Sequence, residues 1–416
     1  MLNLFLFYIY LIKIILLKKF FTFSFILFSF IAKADYWTQK ADLPAPGRAQ
    51  AVGFSIGTKG YIGTGRTSVN VHYNDFWEYD PSLNIWTQKA DFAGNIRFGA
   101  AGFSIGNKGY IGTGNGWTPA LNDFWEYDPV LNTWTPKMNL PSGRAASTGF
   151  SIGNKGFLGT GVNNSGGADS WIYNPVTNAW SSVPNPGVFS RLIAAGFSDG
   201  IRGYIGTGTQ GAYWGTNDFW ELDPSTNSWT QKANFGGAAR SEACAFYICP
   251  FGYIGLGTTY IGTGTVSDFW KYDIANNTWG QVGNFGNGLR EEAVAFSIGN
   301  KGYVGTGWIN DVSDKNDFWE YTPDTVCITS IEELPTSNLD FTISPNPAKE
   351  YLIISYPLSG KENIYITITD AQGKKVYETK LVISDLRLPT SDFQKGIYFI
   401  EVTNGKQKGV KKFIKE

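Results

Sequence analysis

Residues 51–65 read AVGFSIGTKGYIGTG, and residues 100–114 read AAGFSIGNKGYIGTG. The same phrase, or a near variant, ends at Gly65, Gly114, Gly161, Gly208, Gly257 and Gly307, in steps of 49, 47, 47, 49 and 50 residues. Asp-Phe-Trp, once Asp-Ser-Trp, follows each phrase and places tryptophans at Trp77, Trp125, Trp171, Trp220, Trp270 and Trp319. After a turn such as Asp80-Pro81-Ser82-Leu83-Asn84 comes a second set, Trp86, Trp134, Trp180, Trp229 and Trp279. Each unit parses into four strand-like runs. Gln50–Ile56 turns at Gly57-Thr58-Lys59-Gly60 into Tyr61–Gly65, and a variable loop leads to Phe76–Tyr79. A Pro-Asn turn then leads to a run around Trp86–Lys89. Gly and Asn suit these turns because they tolerate positive φ, and Pro presets its own φ. A period near 50 residues with four strands per unit predicts six blades of a closed all-β propeller. Six inner strands crowding one axis explain the small residues Ala51, Gly53, Ala100, Ala101, Gly102, Ala293 and Ala295.

The sixth unit stops at Tyr321-Thr322-Pro323 without its second tryptophan. Trp37-Thr38-Gln39-Lys40-Ala41-Asp42 reads like Trp86-Thr87-Gln88-Lys89-Ala90-Asp91. An N-terminal strand is therefore expected to complete the last blade and remove the open sheet edge. This pattern resembles the kelch family over roughly residues 36–325, with one departure: Gly-Thr-Gly stands where most kelch repeats have Gly-Gly. Blade five repeats Tyr260-Ile261-Gly262-Thr263-Gly264 inside its variable loop, and loop length assigns the strand end to Gly255–Gly257.

Composition agrees. The 416 residues carry 34 Lys and Arg against 35 Asp and Glu, with 50 Gly and 15 Trp. Residues 1–34 hold four Lys and no acid, residues 341–416 hold 12 basic and 8 acidic side chains, and 35–340 hold 18 and 27. An acidic body repels phosphate backbones, so no nucleic-acid partner is expected. One histidine, His72, excludes sites that need two or more. Galactose oxidase is a kelch-type enzyme whose copper needs two histidines, so that activity is excluded despite the shared fold. Neither cofactor nor metal is expected. Asp311, Asp314 and Asp317 lack EF-type spacing, and Asp317 is the repeat's own aspartate.

Both ends differ from the middle. Lys18 and Lys19, the apolar run Phe20–Ile31 and Ala32-Lys33-Ala34 describe a secretory signal peptide, with Asp35 as the expected mature start and no membrane span after its removal. Two readings stay open for Met1–Leu17: an over-extended start, or part of a longer uncleaved anchor. Three cysteines, Cys244, Cys249 and Cys327, give no legible disulfide framework. Beyond a linker at 326–340, alternating strands at Tyr351–Tyr356, Ile364–Thr369, Lys374–Thr379 and Gly396–Val402 predict a small antiparallel β-sandwich. Pro345-Asn346-Pro347, Asp370-Ala371-Gln372-Gly373-Lys374, Gly396-Ile397-Tyr398-Phe399 and Lys412-Phe413-Ile414-Lys415 resemble the C-terminal sorting domain of the Bacteroidetes type IX secretion system. That resemblance covers 341–416. It implies recognition by the type IX machinery and outer-membrane translocation, then removal of the domain and release or surface attachment.

The conserved hairpins and Asp-Pro-x-x-Asn turns share one face of the propeller, and the variable loops share the other, which points to the loop face as functional. Arg48, Arg97, Arg144, Arg191, Arg240 and Arg290 each introduce an inner strand. They read either as an anion-binding funnel or as ties to a neighbouring loop. Twelve tryptophans belong to the repeat. The remaining Trp117, Trp214 and Trp308, with Tyr73, Tyr213 and Tyr260, are candidates for stacking on a sugar or inserting into a partner. Glu242 and Glu292 are candidate general bases, as the resemblance to six-bladed sialic-acid mutarotases implies; a salt bridge from them, or from Glu291, to the adjacent arginine is the alternative. The expectation is a secreted or cell-surface monomer acting as a non-catalytic binding module for a glycan or glycoprotein. A sugar-acid isomerase and a protein–protein scaffold are the rivals.

Overall fold

The computed structural model describes residues 35–116, 119–164, 169–187, 191–210, 215–259, 264–310, 313–324, 341–355, 364–370, 375–381, 385–403 and 408–416. Every regular element among them is a β-strand. The chain divides into two compact units between Cys327 and Ile328.

The first unit is six four-stranded antiparallel blades. Blade one runs Val52–Ile56, Lys59–Gly63, Phe76–Asp80 and Ile85–Gln88, and the other blades repeat it. Inner strands alternate buried and half-buried residues, whereas second strands such as Gly60–Gly63 are buried throughout. Period-2 alternation is what a strand facing two different environments requires. Blade-to-blade packing depends on one glycine per blade. The aromatic ring of each inner strand fills the place where the next blade's glycine has no side chain. A Cβ on Gly109 would lie 2.5 Å from Phe54, and one on Gly60 would lie 2.5 Å from Phe296.

Blade six joins the two ends of the unit. Tyr36–Gln39 pairs antiparallel with Phe318–Thr322, with Trp37 opposite Tyr321. The Trp37 ring packs among Phe269, Phe285 and Tyr321 at centroid distances of 5.0 to 5.1 Å. The N-terminal strand covers the edge that Phe318–Thr322 would otherwise leave open. In blade five the second strand is Phe251–Gly255, and Thr258–Thr259 pairs with Gly264–Thr265 inside the loop. Cys244 is free and buried, its thiol pushed up to about 12 by burial. Cys249 is disulfide-bonded, a pairing the spacing of the cysteines had not revealed. Cys327 lies outside the described residues, as do 1–34.

Among the described residues the second unit has seven strands, where four were placed from sequence. Thr342–Ser344, Tyr351–Ser355 and Asp385–Pro389 form one sheet. Lys375–Leu381, Ile364–Asp370, Gly396–Thr403 and Lys408–Lys415 form the other, in that spatial order. Phe341, Leu352, Ile354, Ile366, Ile368, Ile400 and Phe413 fill the space between. Its first and last motifs are joined directly. The Asn346 side chain accepts from the Ile414 N–H at 2.9 Å and donates to the Lys412 carbonyl at 3.1 Å.

Candidate functional site

The six arginines are 0 to 1% exposed. Arg97 is representative. Its two terminal nitrogens donate to the two Asp123 oxygens at 2.7 Å each, one also reaches the Thr113 carbonyl at 2.9 Å, and Nε donates to the Asn95 carbonyl at 2.9 Å. Trp125 adds its indole N–H to the same Asp123 at 2.8 Å. Arg48 with Asp75, Arg240 with Asp268 and Arg290 with Asp317 repeat the fork. Arg144 and Arg191 each hold Asp169 or Asp218 through one nitrogen and take a backbone or hydroxyl contact with the other. Burial alone pushes the Asp123, Asp218, Asp268 and Asp317 carboxyls up, but the arginine hydrogen bonds and charge outweigh it, and all four sit below their ordinary value. Burial pushes Arg144 down to about 10. Of the two readings open for Arg48, Arg97, Arg144, Arg191, Arg240 and Arg290, these contacts support the tie and not the anion funnel, with the partner in the same blade and not in a neighbouring one. These side chains are ties between the inner strand and its own blade's Asp-Phe-Trp strand.

Two residues after each arginine the chain does something different. Gln50, Gly99, Ala146, Ile193, Glu242 and Glu292 all hold φ between 51° and 61°. Each donates its N–H to the carbonyl of its counterpart in the preceding blade, Gln50 to Glu292, Gly99 to Gln50 and so on round to Glu292 on Glu242, at 3.0 to 3.3 Å. The left-handed backbone turns that N–H toward the neighbour, and the six bonds close a circle at the channel mouth. A second circle surrounds it. Gly65, Gly114, Gly161, Gly208, Gly257 and Gly307 donate to the carbonyl of the next blade's arginine at 2.7 to 2.8 Å. The Thr or Leu preceding each of these glycines is also left-handed, which accounts for Gly-Thr-Gly as a backbone device.

The backbone at the mouth is six-fold, but its side chains are not. Blades two, three and four present Phe98-Gly99, Ala145-Ala146 and Leu192-Ile193, whereas blades five, six and one present Ser241-Glu242, Glu291-Glu292 and Ala49-Gln50. The polar half is wired together. The Gln50 amide donates to Glu292, and Arg66 Nε donates to the Gln50 carbonyl oxygen at 3.1 Å. The Arg66 guanidinium lies over Phe98 at 4.3 Å and over Trp308 at 5.0 Å. Behind them Glu291 is buried, bonded by the hydroxyls of Thr258 and, at 2.8 Å, Thr265. Glu242 and Glu292 are half-buried and adjacent round the ring.

Trp308 is not an exposed loop aromatic. It is 5% exposed, and its indole N–H donates to Asp314 at 2.6 Å. Asp314 also accepts from the Ser68 N–H and hydroxyl at 2.7 and 3.0 Å, which fastens the loops of blades six and one. Tyr73 is half-buried with the Arg48 guanidinium 4.2 Å over its ring. Trp117, Tyr213, Trp214, Tyr260 and Asp311 lie outside the described residues. His72 is buried against Phe98, and its Nε2 is 2.9 Å from Asn70. Burial first and the Arg66 charge second hold its pKa below the usual value. Among the described residues no group of three or more His, Cys, Asp or Glu is placed to hold a metal. Gln50 and Arg66 were missed from sequence, because both stand in columns that differ from blade to blade and give no repeat to read.

No curated protein matches the chain. Among matching solved structures is one titled "Structure of YjhT", 19% identical, with a TM-score of 0.58, covering 67% of this chain and 95% of that one. At that identity the likeness speaks for the fold. No helix among the described residues is long and apolar enough to cross a membrane. Residues 342–416 match the secretion system C-terminal sorting domain, the unit in which Asn346 clasps the last strand. The first unit thus has a kelch-like propeller fold, and residues 342–416 carry a sorting domain for type IX export to the medium or the cell surface.

Proposed function

We propose that the propeller is a non-catalytic binding module for glycans or glycoproteins, with its ligand seated on the variable-loop face over the channel mouth. One observation carries this reading: the mouth backbone repeats six times while the side chains at the two positions after each arginine become polar only in blades five, six and one. A scaffold with no ligand has no use for that asymmetry, and carboxylate, amide and aromatic groups side by side suit a sugar's hydroxyls and faces. Trp117 and Trp214, which the repeat does not use, belong by sequence to the variable loops. The test is a glycan array with the full chain, the Gln50→Ala/Glu292→Ala pair and the Trp117→Ala/Trp214→Ala pair. Binding lost in the first pair places the ligand at the mouth, and binding lost in the second places it on the rim.

The adjacency of Glu242 and Glu292 favours a second reading, sugar isomerisation with one carboxylate as general base. Under it, Glu242→Gln or Glu292→Gln abolishes anomer exchange followed by proton NMR and leaves thermal unfolding unchanged. A partner pulled down through the loop face, with no glycan bound, would favour a protein scaffold instead. We also take residues 1–34 as the leader for export and the mature protein as a monomer beginning at Asp35, which N-terminal sequencing and light scattering of secreted material check.

A further inference from the structure

We infer that the mouth carries an acid-sensitive catch, in which protonation of His72 unseats the Arg66 side chain and frees the Gln50 amide. Phe98 is the shared element. The His72 ring lies against it at a centroid distance of 4.8 Å, and the Arg66 guanidinium lies over it at 4.3 Å. Trp308 meets the same guanidinium at 5.0 Å, so Trp308, Arg66, Phe98 and His72 form one run of contacts across blades six, one and two. Arg66 and His72 are bridged antiparallel through their backbones, which brings both side chains to the one ring.

A neutral imidazole suits that place. Nε2 lies 2.9 Å from the Asn70 amide oxygen, an acceptor, so Nε2 carries the ring's proton and a second proton goes to Nδ1, which is buried. That proton would put a second cation on a ring already engaged by Arg66, in a partly desolvated loop. From its own loop Arg66 and Asn70 face His72, and from blade two Phe98 does. Arg97, next to Phe98, is turned away to Asp123. Among the described residues Arg66 is therefore the charge that bears on His72, and burial and that charge both favour the neutral ring. Departure of the Arg66 side chain relieves the protonated form. Its backbone stays, because its N–H and carbonyl both pair with Ala49 at 2.9 to 3.0 Å, and Ser68 keeps the loop on Asp314. Acid thus releases the guanidinium, its bond to the Gln50 oxygen and the orientation that bond imposes, without opening the blade.

The test uses the full, untagged chain, whose single histidine gives one imidazole signal. NMR follows His72 and the Arg66 Nε–H from about pH 8 to about pH 5, with the Arg66 signal assigned by its loss in Arg66→Lys. His72 is expected to titrate below about 6.5. The Arg66 signal should leave its ring-shielded position for that of an exposed arginine with the same midpoint. The sign follows from the lowered pKa: the catch is complete above the ordinary histidine value and is lost as pH falls through the folded one. Coupling is reciprocal, so Arg66→Gln should raise the His72 midpoint, and His72→Gln should hold the Arg66 signal in place over the whole range. Should His72→Gln misfold, the shift in Arg66→Gln decides. A midpoint at or above about 6.5, an Arg66 signal that does not follow His72, or an unchanged midpoint in Arg66→Gln overturns the inference. No glycan enters these measurements, so their failure leaves the glycan reading standing, and an empty glycan array leaves the catch standing.

Discussion

Two rings of residues, two positions apart in sequence, solve the same closure problem in opposite ways. At Arg48, Arg97, Arg144, Arg191, Arg240 and Arg290 the side chain is the scaffold, and it is the same six times. At Gln50, Gly99, Ala146, Ile193, Glu242 and Glu292 the backbone is the scaffold, and four chemical classes of side chain share one geometry. Once the N–H and C=O carry the structural load, the side chain is released for other work. The six-fold circle therefore marks where a propeller of this type varies its chemistry without disturbing its fold.

The sharpest way to break the comparison is to remove one buried arginine. Arg97→Ala leaves Asp123 facing a cavity where two hydrogen bonds and a full charge had been. Losing one partner of a buried pair costs about 3–5 kcal/mol, read as a shift in the urea midpoint. Arg144→Ala should cost less, because Arg144 holds the Asp169 carboxylate through one nitrogen where Arg97 makes a two-nitrogen fork. Equal losses at the two sites would mean that packing around the aliphatic stem, not charge pairing, sets the effect.

Acid attacks the same ring from the carboxylate side. Asp123, Asp218, Asp268 and Asp317 titrate below their ordinary value in the fold because the arginines outweigh burial. A depressed folded pKa contributes stability that is present above the unfolded value of about 3.9 and is lost as pH falls through the folded one. The melting temperature should hold between pH 7 and about 5 on this account and drop steeply below about pH 4. A melting profile flat to pH 2 would show that these pairs do not hold the blades.

Packing between blades comes next. A methyl group on Gly109 would lie 2.5 and 2.7 Å from Phe54 ring atoms. Gly109→Ala should therefore cost about 1–3 kcal/mol, the usual penalty of overfilling a packed core. Phe54→Leu in the same chain should recover part of it in a double-mutant cycle, and simple additivity would mean the two residues do not touch.

How far these features were legible in sequence follows from what repeats. The blades, and the closure of blade six by Trp37, were readable because the chain states each strand several times. The arginine ring was visible but half understood. Its aspartate partner stands 25 to 28 residues downstream, and only the fact that both recur together identifies them as a pair. Trp308 was misread because its partner Asp314 sits six residues away in the same non-repeating loop. Gln50 and Arg66 carry no motif, and only their joining across blades gives them meaning. In the second unit the strands Thr342–Ser344, Asp385–Pro389 and Lys408–Lys415 were missed. The first is short, the second carries Asp and Pro, and the last is lysine-rich, none of which reads as an alternating apolar strand.

The smallest expected effect tests the comparison most closely. Ile193 is β-branched, half-buried and held at φ 51°, a conformation such residues avoid. Its N–H bonds to Ala146 and its carbonyl accepts from Glu242, and neither bond uses the side chain. Ile193→Gly keeps both bonds and relieves roughly 1–2 kcal/mol of left-handed strain. Against that stand about 0.4–1 kcal/mol of added freedom in the unfolded chain and a comparable loss of partial apolar burial, on the order of 1 kcal/mol. The terms nearly cancel, so the measured stability should move by less than about 1 kcal/mol in either direction. A loss above about 2 kcal/mol would place Ile193 among the scaffold side chains, and the mouth would then no longer be a ring in which backbone alone holds the shape.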